Sequence, residues 1–186
     1  MIYHLYIYHE NQVEDLRIVF EQIHEEVSIT MLKPSILKVT IHLSYDEELV
    51  DFKLIHASIL NDFNLEVVIV VMKNHSMALI DENLIIGYIS NFSRKLYGLH
   101  EVMDFFSHVT IVKNRLKRIL VSLLGQEYVN TIRMIAKSNL NLSVTSKKLF
   151  VHRNTLNYRI ERMIELIDID VRNFFGLKAL IGILDD

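Results

Sequence analysis

Leu142-Ser-Val-Thr-Ser-Lys-Lys-Leu-Phe-Val-His-Arg-Asn-Thr-Leu-Asn-Tyr-Arg-Ile-Glu-Arg-Met-Ile-Glu-Leu-Ile167 reads as a short helix, a tight turn without proline, and a longer amphipathic helix. With Leu156 as zero on a wheel of about 100° per residue, Ile160, Met163, Ile164 and Ile167 cluster around it. These residues anchor the second helix to a core. The far side holds Asn154, Thr155, Tyr158, Glu161, Arg162 and Glu165. That is the layout of a helix-turn-helix whose second helix enters the major groove of DNA.

Within this layout Thr155, Tyr158 and Arg162 form an i, i+3, i+7 stripe that faces base edges, with Asn154 and Asn157 beside it. Asn pairs with adenine and Arg with guanine, each pair discriminating by about 1–3 kcal/mol. Arg153 at the helix start and Arg159 on its flank reach phosphates or the groove margin. Ser143, Thr145, Lys147 and Lys148, on and before the shorter helix, are placed to hold the DNA backbone as that helix crosses above the groove.

Working outward, Val129, Ile132, Ile135 and Ala136 mark a preceding helix that stops in Ser138-Asn139-Leu140-Asn141, residues suited to turns and N-caps. After Asp168-Ile169-Asp170 comes a closing helix with Phe174, Leu177, Leu180, Ile181 and Leu184 on one side. Upstream, Val112, Leu116, Ile119, Leu120, Leu123 and Leu124 are interleaved with Lys113, Arg115, Lys117 and Arg118. This spacing predicts a basic amphipathic helix ending at Gly125, in the C′ position.

The N-terminal part is patterned differently. Ile2–Tyr8 reads as a strand, and Leu37, Val39, Ile41 and Leu43 alternate as a second. Between them Val13, Leu16, Phe20, Ile23 and Val27 predict an acidic helix. Asp46-Glu47-Glu48 is expected to open another helix, with Leu49, Phe52, Ile55, Ile59 and Phe63 inward. Leu65–Met72 reads as a strand buried on both faces. Asn83–Leu96 is expected to be helical, and Val102–Val109 is also read as helix. The alternation suggests a small α/β layer with a mostly parallel sheet of about three strands.

Asn-Leu-Ser at 141–143, Lys148-Leu149-Phe150, and above all Val-His-Arg-Asn-Thr-Leu-Asn-Tyr-Arg-Ile-Glu-Arg at 151–162 resemble the C-terminal helix-turn-helix domain of PucR/CdaR-type bacterial transcriptional regulators. That domain is related to the DNA-binding part of Fis. The resemblance covers Gln126 to Leu184 and implies operator binding. It places His152 at the turn or cap, Arg153, Thr155 and Tyr158 against DNA, and Leu149, Leu156 and Ile160 in the core. Asn157 stands where the family usually has Arg, and Ile164 where a charged residue is common. Family members often carry a degenerate GGDEF-like domain ahead of this unit. Whether residues 1–110 are a shortened relative of it stays open, since neither Gly-Gly-Asp-Glu-Phe nor a glycine-rich substitute is present.

Charge divides the same way. Residues 1–110 hold 7 Lys/Arg and 16 Asp/Glu, whereas residues 111–186 hold 13 and 7. Phosphate would repel the front of the chain and attract its back. Hydrophobic residues make up 51%, which argues against disorder. The absence of cysteine excludes disulfides and thiol nucleophiles and fits a reducing cytosol. The N-terminus lacks the basic and small-residue features of a signal peptide. The longest apolar run, Val67–Met72, is far short of the ~20 residues of a membrane helix.

Nine histidines occur without HxH, HExxH or HxxxH spacing, and P-loop, GxGxxG and GxSxG motifs are absent. No catalytic or metal-ligating constellation is expected, nor a cofactor.

The expectation is an α+β chain with three parts: an acidic α/β domain over 1–110, a connecting helix over 111–125, and an all-α helix-turn-helix domain over 126–186. It would be a cytoplasmic regulator that binds double-stranded DNA as a homodimer, with the N-terminal domain serving dimerisation or signal input. A small-molecule effector could act at that domain, making the chain a metabolite sensor. The competing reading is a protein–protein adaptor with a degenerate helix-turn-helix.

Overall fold

The computed structural model describes residues 1–10, 13, 16–21, 27–43, 51–93 and 95–185. The chain is α+β, and it divides into two compact units, Met1–Gly98 and Leu99–Asp186. The division falls ahead of the boundary drawn at residue 110, and the helix expected to connect two domains lies inside the second unit.

The first unit is built on β1 (Ile2–Tyr8), with α1 (Arg17–Glu21), β2 (Val27–Lys33), β3 (Ile36–His42), α2 (Phe52–Phe63), β4 (Val68–Lys73), α3 (Glu82–Tyr88) and β5 (Leu96–Tyr97) following. The strands form one sheet in the order β2-β3-β1-β4-β5. This corrects the expected parallel three-stranded layer. β1 pairs antiparallel with both β3 and β4, β2 pairs antiparallel with β3, and only β4–β5 is parallel. The reason is local. Pro34-Ser35 closes a hairpin between Lys33 and Ile36, so β2 and β3 need no helical crossover.

Val27 therefore opens a strand and does not continue a helix, and Leu96 lies in β5 and not in a third helix. Ile23 and the stretch 44–50, including the expected helix start at Asp46-Glu47-Glu48 and Leu49, lie outside the described residues. α2 begins instead on Asp51, whose carboxylate accepts the N–H groups of Lys53 and Leu54. Its buried residues are Ile55 and Ile59, whereas Phe63 is largely exposed.

Alternation along the strands gives the sheet two different faces. Tyr3, Leu5 and Ile7 share one face with Leu37, Val39, Ile41 and Ile69, and pack with Leu16, Phe20 and Ile59 in an apolar core. The opposite face carries His4 and Tyr6 across from Thr40 and Lys38. There the Tyr6 hydroxyl donates to Glu82 Oε1 at 3.2 Å, and Lys38 Nζ donates to the same oxygen at 2.6 Å. His4 bridges Thr40 Oγ1 (3.1 Å) and Asn74 Oδ1 (3.0 Å). Burial raises the Tyr6 pKa, with the Glu82 charge adding to it. The Lys38 hydrogen bond holds the Glu82 carboxyl below its ordinary range.

The second unit is helical: α4 (Leu99–Ser107), α5 (Thr110–Lys137), α6 (Leu142–Lys148), α7 (Arg153–Ile167) and α8 (Phe174–Leu184). The expected break at Gly125 is present, since this residue has φ 76° and ψ 163° and interrupts α5 into 110–124 and 126–137. Such a conformation is essentially confined to glycine. Val112, Leu116, Leu120 and Leu124 are buried before the break, and Val129, Ile132 and Ile135 after it. α8 buries Leu177, Ala179, Leu180, Ile183 and Leu184. Phe174, expected inward, is 61% exposed. Gly176 lets α8 approach the preceding loop, because a Cβ there would stand 2.5 Å from the Asp170 carbonyl oxygen.

Candidate nucleic-acid interface

The short helix, the turn and the long helix fall where the sequence reading put them. Asn141 caps α6 by accepting the Val144 N–H at 3.0 Å, and His152 caps α7 through Nδ1, which accepts the Asn154 N–H at 3.2 Å. The intervening turn is tight because Phe150 adopts a left-handed conformation, φ 54°. Its N–H reaches the Lys147 carbonyl at 3.2 Å. The Phe150 ring is 95% exposed.

α7 is strongly two-sided. Leu156, Ile160, Met163 and Ile167 are buried, and Ile164 is half-buried. Arg153, Asn154, Thr155, Asn157, Tyr158, Glu161, Arg162 and Glu165 are exposed. Thus the stripe Thr155, Tyr158, Arg162 stands in solvent with Arg153 at the helix start. Arg162 donates to Glu165 Oε2 at 2.8 Å, which lowers the free charge at that end. On α6, Ser143, Lys147 and Lys148 are exposed. Among the described residues, Lys147, Lys148 and Arg153 form no ion pair.

Two expected DNA-facing residues are elsewhere. Thr145 is fully buried, and its hydroxyl donates to the Asn141 carbonyl at 2.9 Å, one turn back. Arg159 is turned onto the preceding helix: Nη2 pairs with Glu127 Oε1, and Nη1 donates to Thr131 Oγ1 at 3.4 Å. Its side chain is only 15% exposed. Thr131 is itself buried and donates to the Glu127 carbonyl at 2.9 Å. Nothing in the sequence links Glu127 and Thr131 to Arg159, although their i, i+4 spacing puts both on one helix face.

The loop after α7 is held by Arg172. It meets both Asp170 carboxylate oxygens, at 2.8–3.0 Å, and Glu161 Oε1 at 2.7 Å. Burial would raise the Asp170 pKa, but the hydrogen bonds from the Arg172 side chain and backbone hold it below its ordinary value. Lys178 pairs with Asp104 at 2.7 Å, and Arg133 with Asp185 at 2.9 Å.

Two helices joined by a left-handed turn, the second polar outward and apolar inward, define a helix-turn-helix module. Residues 128–180 match the PucR C-terminal helix-turn-helix domain, so this segment is a domain of that type. A protein from Bacillus subtilis (strain 168), described as uncharacterized protein YxkF, is 42% identical over 50 residues. That match spans 27% of this chain and 17% of the relative. A regulator of polyketide synthase expression from Bifidobacterium adolescentis, 15% identical, aligns over 98% of this chain and 78% of its own, with a TM-score of 0.47. Among the described residues, no helix is long and apolar enough to cross a membrane.

Proposed function

We propose that this chain is a cytoplasmic, non-enzymatic transcriptional regulator that binds operator DNA through α6 and α7. The observation that carries the reading is the outward face of α7: Arg153, Thr155 and Tyr158 stand exposed on a helix whose other side is buried. Beside them Lys147 and Lys148 are exposed on α6. Exposed cations supply phosphate contacts, while side chains along the helix read base edges. Ser143, His152, Asn154, Asn157 and Arg162 complete the surface offered to DNA. Thr145 and Arg159 are not part of it.

The unit Leu99–Asp186 holds 13 Lys/Arg against 9 Asp/Glu, and Met1–Gly98 holds 7 against 14. The positive balance of the second unit favours polyanion binding, and the negative balance of the first keeps it off the duplex. One short recognition helix reads too few base pairs for selectivity, so binding as a homodimer on two half-sites completes the reading. The N-terminal unit then serves dimerisation, signal input or both, with a small-molecule effector as one form of signal.

Replacing Arg153 and Tyr158 together with Ala tests the proposal. Retention of the full chain on duplex DNA should collapse while the fold is kept. Unchanged retention would favour the protein–protein adaptor.

A further inference from the structure

Arg159 is a cation on a recognition helix, and its chemistry suits a phosphate. The structure spends that chemistry elsewhere. Nη2 is committed to the Glu127 carboxylate and Nη1 to the Thr131 hydroxyl, with the side chain 15% exposed. Thr131 receives this bond because its own proton goes to the Glu127 carbonyl at 2.9 Å, leaving its lone pairs turned to the guanidinium. The three residues therefore match donors to acceptors, although the Glu127 carboxylate stays 64% exposed. Swinging Arg159 out to a phosphate would break an ion pair and leave the buried Thr131 hydroxyl with one partner fewer.

We propose that Arg159 is a positioning residue: the Glu127–Arg159–Thr131 contact sets the rotation of α7 about its own axis, and so aims Thr155, Tyr158 and Arg162 into the groove. The inference rests on the DNA-binding reading above. The buried residues Leu156, Ile160 and Met163 turn one side of α7 inward and set its rotation coarsely, but hydrophobic burial is non-directional and does not by itself fix the finer angle. A forked, charge-assisted contact is directional. Arg159 lies next to Tyr158 and within one turn of Thr155 and Arg162, so fixing it fixes their directions on a rigid helix. Recognition groups must be held within about 0.5 Å and 10–20° to be productive.

A phosphate contact and a positioning contact predict opposite signs at Glu127. If Arg159 bound phosphate, removing Glu127 would free it, and Glu127→Ala would tighten DNA binding. If Arg159 positions α7, Glu127→Ala weakens binding even though it removes a negative charge from the unit.

The test uses the whole chain of 186 residues, a duplex enriched from a random-sequence library by the wild type, and an unselected duplex of equal length. Affinity is measured against salt for wild type, Glu127→Ala, Glu127→Gln, Arg159→Ala and the double alanine variant. Far-ultraviolet circular dichroism checks the fold of each. We expect both single alanine variants to lose about tenfold on the enriched duplex. The double variant should lose no more than either, and Glu127→Gln, which still accepts the hydrogen bond, should stay near wild type. Affinity for the unselected duplex should change far less, and the salt slope should stay level, a separation that mere loss of stability would not give. Tighter binding by Glu127→Ala, or a slope reduced by about 0.9 in Arg159→Ala, overturns the proposal. Failure of the folded wild type to bind any duplex overturns it together with the DNA-binding reading.

Discussion

His152 Nδ1 accepts the Asn154 N–H at 3.2 Å, so α7 starts on an imidazole in place of the usual hydroxyl or carboxylate cap. The N–H groups of a helix's first turn lack intrahelical partners, and this bond satisfies one of them. Replacing His152 with Ala should lower the stability of the C-terminal unit by about 1 kcal/mol, and His152→Asn should restore it. Urea denaturation followed by circular dichroism measures both. Equal losses in the two variants would mean that the imidazole acts through something other than capping.

Phe150 combines a left-handed backbone with a ring in solvent. For a side chain with a Cβ that conformation costs on the order of 1 kcal/mol, and an exposed ring returns no burial energy to offset it. Phe150→Gly should therefore raise the urea midpoint or leave it level. A loss above about 1 kcal/mol would show that the ring packs against something in solution.

Gly125 presents the opposite case. No atom lies within 4 Å of a Cβ built there, so Gly125→Ala meets no steric obstacle. Its φ of 76° and ψ of 163° nevertheless make any Cβ costly. The substitution should destabilise by about 1–3 kcal/mol through the backbone alone. A neutral result would mean that the helix runs straight through residue 125.

Lys38 and Glu82 make the N-terminal unit sensitive to acid. The Glu82 pKa is lowered in the folded state, so its contribution is present above the ordinary carboxylate value of about 4.3 and is lost as pH falls through the depressed one. Lys38→Met removes the partner. The gap in melting temperature between wild type and this variant should be constant at neutral pH and narrow below about pH 4. The effect is modest, since the Glu82 side chain is 36% exposed. A gap that widened in acid would contradict the assignment.

The second unit was more legible in the sequence than the first. The helical period of Leu156, Ile160, Met163 and Ile167 reports burial directly, and Gly125 marks its own break. The β2 strand was hidden because Val27 also completes a three-and-four spacing begun at Val13. Its alternating residues Val27 and Ile29 are only half-buried on an edge strand, which weakens the period-two signal. Strand direction is not legible, because helix–strand alternation does not show which strands become neighbours.

At the interface, a wheel places Arg159 on a flank but knows nothing of Glu127, which lies 32 residues earlier. Nor does residue type tell a DNA-facing threonine from one bonded to its own helix, as Thr145 is.

Duplex affinity as a function of salt tests the central claim most directly. For the folded chain, log K should fall linearly with log salt, with a slope of about −0.9 for each phosphate contact. Replacing Lys147 and Lys148 together with Ala should make that slope shallower by up to about 1.8 per module engaged. Absence of duplex binding at low salt, or a slope indifferent to Lys147 and Lys148, would contradict the account.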